Sequence, residues 1–183
     1  MAETKDSTVS VLIKLTLVAA VAAVVLTATY GITQEELARR AAEAGGPDKQ
    51  LLEMGVVPDA TKFKLASGGE ICYEAYSGSD LIGYGAMAEV QGMQDILTLA
   101  VGVDADFVVT GVVVVSQKET PGIGDKIQKD ESFVTQFAGV GLDGLALSSD
   151  GGEIDAISGA TISSGYVTAG VREIIGKMQE EVS

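Results

Sequence analysis

The sequence predicts an α+β protein: an N-terminal transmembrane helix followed by a mainly antiparallel sheet packed with helices. Three observations predict it. One long run near the N-terminus carries no charge, short β-type runs fill the middle, and the last stretch has apolar residues at helical spacing. At 183 residues with a formal net charge of −14, the chain has room for one globular domain plus extras.

The uncharged run is Leu15 to Ile32, LTLVAAVAAVVLTATYGI. A helix needs about 20 apolar residues to cross a bilayer's hydrocarbon core. Lys14 stands at one end, where its stem can run along apolar surface to the headgroups. A cleavable signal peptide has a shorter apolar core, and a buried soluble helix would show polar faces. Residues 1–32 therefore read as tail and membrane anchor, 33–60 as connector, and 61–183 as the globular domain. Basic residues near a span favour the cytoplasmic side. Lys5 and Lys14 precede the span while Arg39, Arg40 and Lys49 follow it, so the count points the C-terminal domain weakly inward.

After the run, Thr33 with Glu36 forms a capping box. It opens the helical stretch LARRAAEA, which ends at Gly45-Gly46-Pro47. Strands are expected at Phe63 to Ala66, Ile71 to Tyr76, Leu81 to Val90, Ile96 to Val103 and Phe107 to Ser116. Gly83 and Gly85 either weaken the third or mark close backbone approach there. The quartet Val112 to Val115 reads as fully buried. A helix is expected over Asp125 to Phe137, with Ile127, Phe133 and Phe137 as core contacts. Loop and short strand follow from Leu142 to Ile157. The last helix is expected to start near Ser163 or Ser164 and run to about Glu181, with Val167, Val171, Ile174, Ile175, Met178 and Val182 recurring at helical spacing.

Composition narrows the chemistry. Nucleic acid needs clustered Lys and Arg, and this acidic chain has no such cluster. Histidine is absent, which removes His-based catalysis and the usual zinc sites. Cys72 is the one cysteine, so no intrachain disulfide forms. Its place between Ile71 and Tyr73 reads as strand core. There is no nucleophile elbow, P-loop or Rossmann fingerprint. The spacing of Asp143, Asp150 and Asp155 does not match an EF-hand.

The stretch with most to explain is DAISGATISSGY, residues 155 to 166. Ser163 and Ser164 are natural N-caps for the last helix. A helix N-terminus offers free N–H groups to a phosphate, and Gly159 and Ala160 would let a bulky group approach the backbone. Two readings stand open on the residues alone: a capped loop, or a Thr161 hydroxyl that carries a phosphate, with Ser163 and Ser164 as further donors.

The pattern Asp155-x-x-Ser158-Gly159-Ala160-Thr161 resembles the flavinylation motif of the FMN-binding domain family. That family includes the G subunit of the Rnf electron-transport complex and the C subunit of the sodium-translocating NADH:quinone oxidoreductase. The resemblance implies that Thr161 carries covalent FMN through a phosphoester, made from FAD by a flavin transferase with magnesium. Asp155, Ser158, Gly159 and Ala160 would form the recognition segment. Glu119-Thr120-Pro121-Gly122-Ile123-Gly124 looks like the family's E-T-P-G-[LI]-G loop, which packs beside the flavin. Glu119, Thr120 and Gly122 are therefore expected at the cofactor, with Leu81 and Tyr84 as further candidates. The segment Glu89 to Leu97 is less typical, and nothing is carried over from it.

The compact chain is closer to the Rnf subunit. By resemblance it is a membrane-anchored electron relay in a ferredoxin:NAD oxidoreductase complex that moves sodium or protons, with its flavin domain outside the cytoplasmic membrane. The implied partners are the other membrane subunits, the flavin transferase and membrane lipid. Rival readings are a membrane-anchored scaffold without flavin, a stand-alone flavin reductase, and the quinone-oxidoreductase subunit.

Overall fold

A computed structural model describes residues 10–22 and 45–183. Two compact units divide the chain, 1–44 and 45–183. In the first, residues 10–22 form a helix, α1, with the Thr16 hydroxyl donating to the Leu12 carbonyl at 2.9 Å. No helix among the described residues is long and apolar enough to cross a membrane. The uncharged run lies only partly within them, and the capping box at Thr33 and the stretch LARRAAEA lie outside them.

The second unit is built on five strands: β1 (Lys62–Leu65), β2 (Cys72–Ser77), β3 (Asp80–Gln91), β4 (Ile96–Asp104) and β5 (Val109–Ser116). Every neighbouring pair is antiparallel, in the order β1-β2-β3-β4-β5. Hairpin turns alone connect such a meander. The β2–β3 turn is two residues, Gly78-Ser79, with Gly78 at φ 64°. The β4–β5 turn closes on Asp104, whose Oδ1 accepts from the N–H groups of Asp106 and Val108, both at 2.9 Å. In that turn Phe107 takes φ 61°, a costly backbone for a large residue. Its ring stacks on Tyr84 with centroids 5.1 Å apart, which offsets the cost.

Alternation along the strands sends side chains to two faces. One face buries Tyr84, Ala86, Val90, Leu97, Leu99, Val101, Val112 and Val114 against α5 (Thr161–Val182) and the chain before it. The other packs Phe63, Ala75 and Ala100 beneath Leu51, Val56 and Val57. Leu51 comes from α2 (Pro47–Met54). It starts with Pro at the first turn, where the missing N–H costs nothing, and ends at Gly55 in left-handed backbone (φ 62°). This helix is not among the expected elements, although Pro47 and Gly55 are start and stop signals. Gly102 and Gly111 let the Val56 backbone lie directly on the sheet, and the Thr110 hydroxyl donates to the Val56 carbonyl at 2.7 Å.

Three expectations need correction. The quartet Val112 to Val115 is not buried throughout. Val112 and Val114 face the larger core, while Val113 and Val115 are half-buried on the thinner second layer. The helix expected over Asp125 to Phe137 is two short helices, α3 (Lys126–Lys129) and α4 (Glu131–Thr135). Asp130 breaks it: its backbone is extended and its carboxylate caps the Ser132 N–H at 3.1 Å, a local bond that competes with helix. Ile127, Phe133 and Phe137 are nonetheless buried. The third concerns α5, which begins at Thr161, two residues before the expected caps.

On α5, Val167, Val171, Ile174, Ile175 and Met178 are fully buried, each contributing about 1.5–3 kcal/mol of transfer free energy. Val182 is largely outside this stripe, at 37% exposure. The far end of α5 is fastened by Glu181, whose Oε2 accepts from the N–H groups of Glu70 at 3.0 Å, Ile71 at 3.2 Å and Cys72 at 2.9 Å. Between Leu145 and Ile154 the chain makes a 3-10 turn at Ser148–Asp150 and a single parallel bridge, Leu147 to Ile154.

Candidate functional site

Thr161 is the first residue of α5, and its side chain is exposed. Ala160 holds the N-cap position with no side-chain cap, and the first intrahelical bond runs from Ser164 N–H to the Ala160 carbonyl at 2.9 Å. The N–H groups of Thr161, Ile162 and Ser163 thus lack helical partners, as at any uncapped helix start. They lie beside a hydroxyl that faces solvent.

The serines do other work. Ser163 and Ser164 lie inside the first turn and are buried, so neither is an N-cap. The Ser164 hydroxyl donates to the Ala160 carbonyl at 3.0 Å and accepts from the Ile157 N–H at 3.1 Å. Together with a turn from Ala160 N–H to the Ile157 carbonyl at 2.8 Å, it closes residues 157–160 into a compact loop. Gly159 in that loop sits at φ 80°, where any side chain would be strained. Ser158 is exposed on its rim.

Asp155 lies before the loop, pinned by its backbone: its N–H donates to Gln136 Oε1 at 2.8 Å, and Gln136 Nε2 donates back to its carbonyl at 3.4 Å. Its carboxylate accepts from the Ser148 hydroxyl at 2.7 Å. A groove of about 430 Å³ runs between Asp155–Ser158 and the α3–α4 corner, with Lys126, Asp130 and Phe133 on its walls. The Lys126 ammonium donates to the Ser158 carbonyl at 3.5 Å, which places a cation beside the acceptor loop.

The second motif arrives at the same place. Residues 119–124 wrap around the Thr120 carbonyl, which accepts from the N–H groups of Ile123 at 3.1 Å and Gly124 at 2.9 Å. Pro121 sets the turn and Gly122 takes φ 77°. The Thr120 hydroxyl accepts from Gln94 Nε2 at 2.6 Å. Glu119 is buried, and its carboxylate accepts from the Ser163 hydroxyl at 2.7 Å. A Cβ on Gly124 would lie 2.8 Å from the Ser163 hydroxyl. Folding thus joins the two motifs directly.

Glu119 turns inward to protein donors. The apolar groups beside the motifs are instead Ile123, Ile162 and Met93, each at least half exposed. Leu81 and Tyr84 do not belong here. The Gly92–Gln94 turn touches Glu119, and Tyr84 lies well back along β3 from Gln91, about 23 Å at 3.3 Å per residue. Sequence reasoning missed Lys126, Gln136 and the Gly92-Met93-Gln94 turn. Each contributes through a long-range contact with no local pattern.

Residues 92–176 match the FMN-binding domain model. Over 175 residues the chain is 34% identical to the G subunit of the ion-translocating oxidoreductase complex of Methanosarcina acetivorans, covering 90% of each chain. It is 33% identical over 180 residues to the G subunit of the proton-translocating ferredoxin:NAD(+) oxidoreductase complex of Clostridium ljungdahlii, covering 96% of this chain and 95% of the other. The crystal structure of NqrC from Shewanella oneidensis superposes with a TM-score of 0.49 at 22% identity, covering 73% of each chain.

Proposed function

The chain belongs to the family of G subunits of ion-translocating oxidoreductase complexes, with an FMN-binding domain, and from that premise we propose that it is a membrane-anchored electron carrier whose FMN is esterified to Thr161. The observation that carries the reading is the Thr161 hydroxyl: exposed, at the first position of a 22-residue helix, beside N–H groups with no helical partner. These residues fit a flavin phosphate. Helix-start N–H groups and Lys126 supply donors and positive potential for the phosphate, and Gly159 and Ala160 keep the approach free of side-chain bulk.

In the attachment reaction the Thr161 oxygen forms a bond to the flavin-side phosphorus of FAD. The pyrophosphate P–O bond breaks, AMP leaves with the electron pair, and the hydroxyl proton passes to the flavin transferase. When bound, FMN supplies one- and two-electron transfer. The chain's own part is placement. Ser164 and the Ala160–Ile157 turn hold the acceptor loop, and Ile123, Met93 and Ile162 offer apolar surface for an aromatic ring. A tethered cofactor does not need a deep pocket to be retained, which suits hand-off between subunits.

The uncharged run Leu15 to Ile32 is assigned as the anchor on its length. The family resemblance supports a flavin domain outside the cytoplasmic membrane, against the weak charge count. The partners are the other membrane subunits of the complex. Ion movement itself belongs to them, since a single span without an ionisable pathway offers no route. Co-expression with a flavin transferase tests the reading: the denatured protein is expected to keep flavin absorbance and the Thr161→Ala variant to lose it. A colourless wild-type chain would leave the flavin-free scaffold.

A further inference from the structure

We propose that Glu119 is a brace and not a flavin ligand: its carboxylate fixes the three segments that surround Thr161, and flavin transfer depends on its hydrogen bonds more than on its charge. This rests on the reading of Thr161 as the acceptor and goes beyond it by assigning a positioning residue.

Glu119 stands in the 119–124 loop and is only 4% exposed. Its Oε1 accepts from the N–H groups of Met93 at 2.9 Å and Gln94 at 3.2 Å, at the tip of the β3–β4 hairpin. Its Oε2 accepts from the Ser163 hydroxyl at 2.7 Å, in the first turn of α5. Hairpin tip, loop and helix start are thus joined through one carboxylate. All three donors are neutral, and Glu119 makes no ion pair among the described residues.

Two glycines are shaped around this group. A Cβ on Gly92 would lie 2.8 Å from Glu119 Oε1, and one on Gly124 would lie 2.8 Å from Glu119 Cβ and from Ser163 Oγ. Backbone therefore closes on both sides of the carboxylate, which leaves no place there for a cofactor atom. A buried acceptor with its donors satisfied rigidifies what it joins, and each donor is costly to leave unpaired. Ser163 is close behind Thr161 in the same helical turn, so the bond that holds the turn also aims the acceptor. Alignment of the attacking oxygen is what a transfer reaction needs.

The test uses the full chain, a flavin transferase, FAD and magnesium, with three variants: Glu119→Gln, Glu119→Ala and Ser163→Ala. Two quantities are read: the initial rate of FMN incorporation by intact mass, and amide exchange in the unmodified chain. The glutamine side chain keeps an acceptor for Met93 and Gln94, and its NH₂ can donate to Ser163. Glu119→Gln is expected to load within about twofold of wild type. Glu119→Ala is expected to load at least tenfold more slowly and to lose amide protection at Met93, Gln94 and Ser164, the first bonded amide of α5. Ser163→Ala removes one bond of three, so it is expected to slow loading several-fold and stands in if the alanine variant does not fold.

Folded Glu119→Ala that loads at the wild-type rate would overturn the proposal. So would Glu119→Gln as slow as Glu119→Ala, because charge would then be the requirement. Unchanged exchange at the Ser164 amide in either truncation would also overturn it. A wild-type chain that takes no flavin, yet loses protection in Glu119→Ala, would sink the acceptor reading and not the brace contacts.

Discussion

The Glu119 carboxylate accepts a 2.7 Å hydrogen bond from the Ser163 hydroxyl, 44 residues further along the chain. Both groups are buried. Ser163→Ala removes the donor and leaves that carboxylate oxygen without a partner. The expected cost is about 1–3 kcal/mol of unfolding free energy, read as a lower urea midpoint with an unchanged slope. An unchanged midpoint would mean that the bond does not hold the helix start.

The seat of Val56 on the sheet gives a sharper stability test. Gly102 has the Val56 carbonyl where a Cβ would go, with Thr110 Oγ1 at 2.9 Å. Backbone on a sheet yields less readily than a side chain, so Gly102→Ala must push the segment after α2 away. A loss of about 2–3 kcal/mol is expected from overpacking. Gly176→Ala, with nothing within 4 Å of the added Cβ and in the interior of α5, is the control. It is expected to stabilise by about 0.5–1 kcal/mol.

The α5 terminus predicts a third effect. Glu181 is the acceptor for three successive N–H groups at the start of β2. Glu181→Ala is expected to cost about 1–3 kcal/mol and to raise amide exchange at Ile71 and Cys72. A larger change at the Thr161 end than at Cys72 would contradict the assignment.

Cys72 predicts a pH dependence. Burial, then the nearby Glu181 and Glu74 carboxylates, push its thiol up to about 12 from 9.0. The folded state thus holds this proton more tightly than the unfolded state does. The thiol's contribution is fully present below about pH 9 and is lost as pH rises toward about 12. Unfolding free energy is expected to fall over that window, and Cys72→Ala is expected to flatten the fall. In mildly alkaline buffer the folded chain should resist a maleimide that labels it in urea; rapid labelling of the folded chain would refute the burial.

Much of this was legible in the sequence. Alternation and turn residues located all five strands within about two residues, because a meander pairs neighbours and needs no long-range information. The spacing from Val167 to Met178 marked the buried stripe of α5. The family resemblance rested on two short motifs, and the relatives bear it out. What stayed hidden depended on tertiary contact. The serines at 163 and 164 look like caps by residue type, but Thr161 already satisfies helical geometry, and the two hydroxyls are drawn inward to Glu119 and Ile157. Glu119 looks like a ligand group until folding surrounds it with donors. Asp130 broke an expected helix because its side chain caps locally. The segment 89–97, less typical of the family, supplies the backbone that Glu119 holds.

The attachment itself is tested most directly by the mass of the peptide that contains Thr161, taken from chain made with an active flavin transferase. The expected mass is that of the peptide plus FMN less one water, with fragment ions placing the addition on Thr161 and none on Ser158, Ser163 or Ser164. The bare peptide mass, from a preparation in which the same transferase modifies another acceptor, would contradict it.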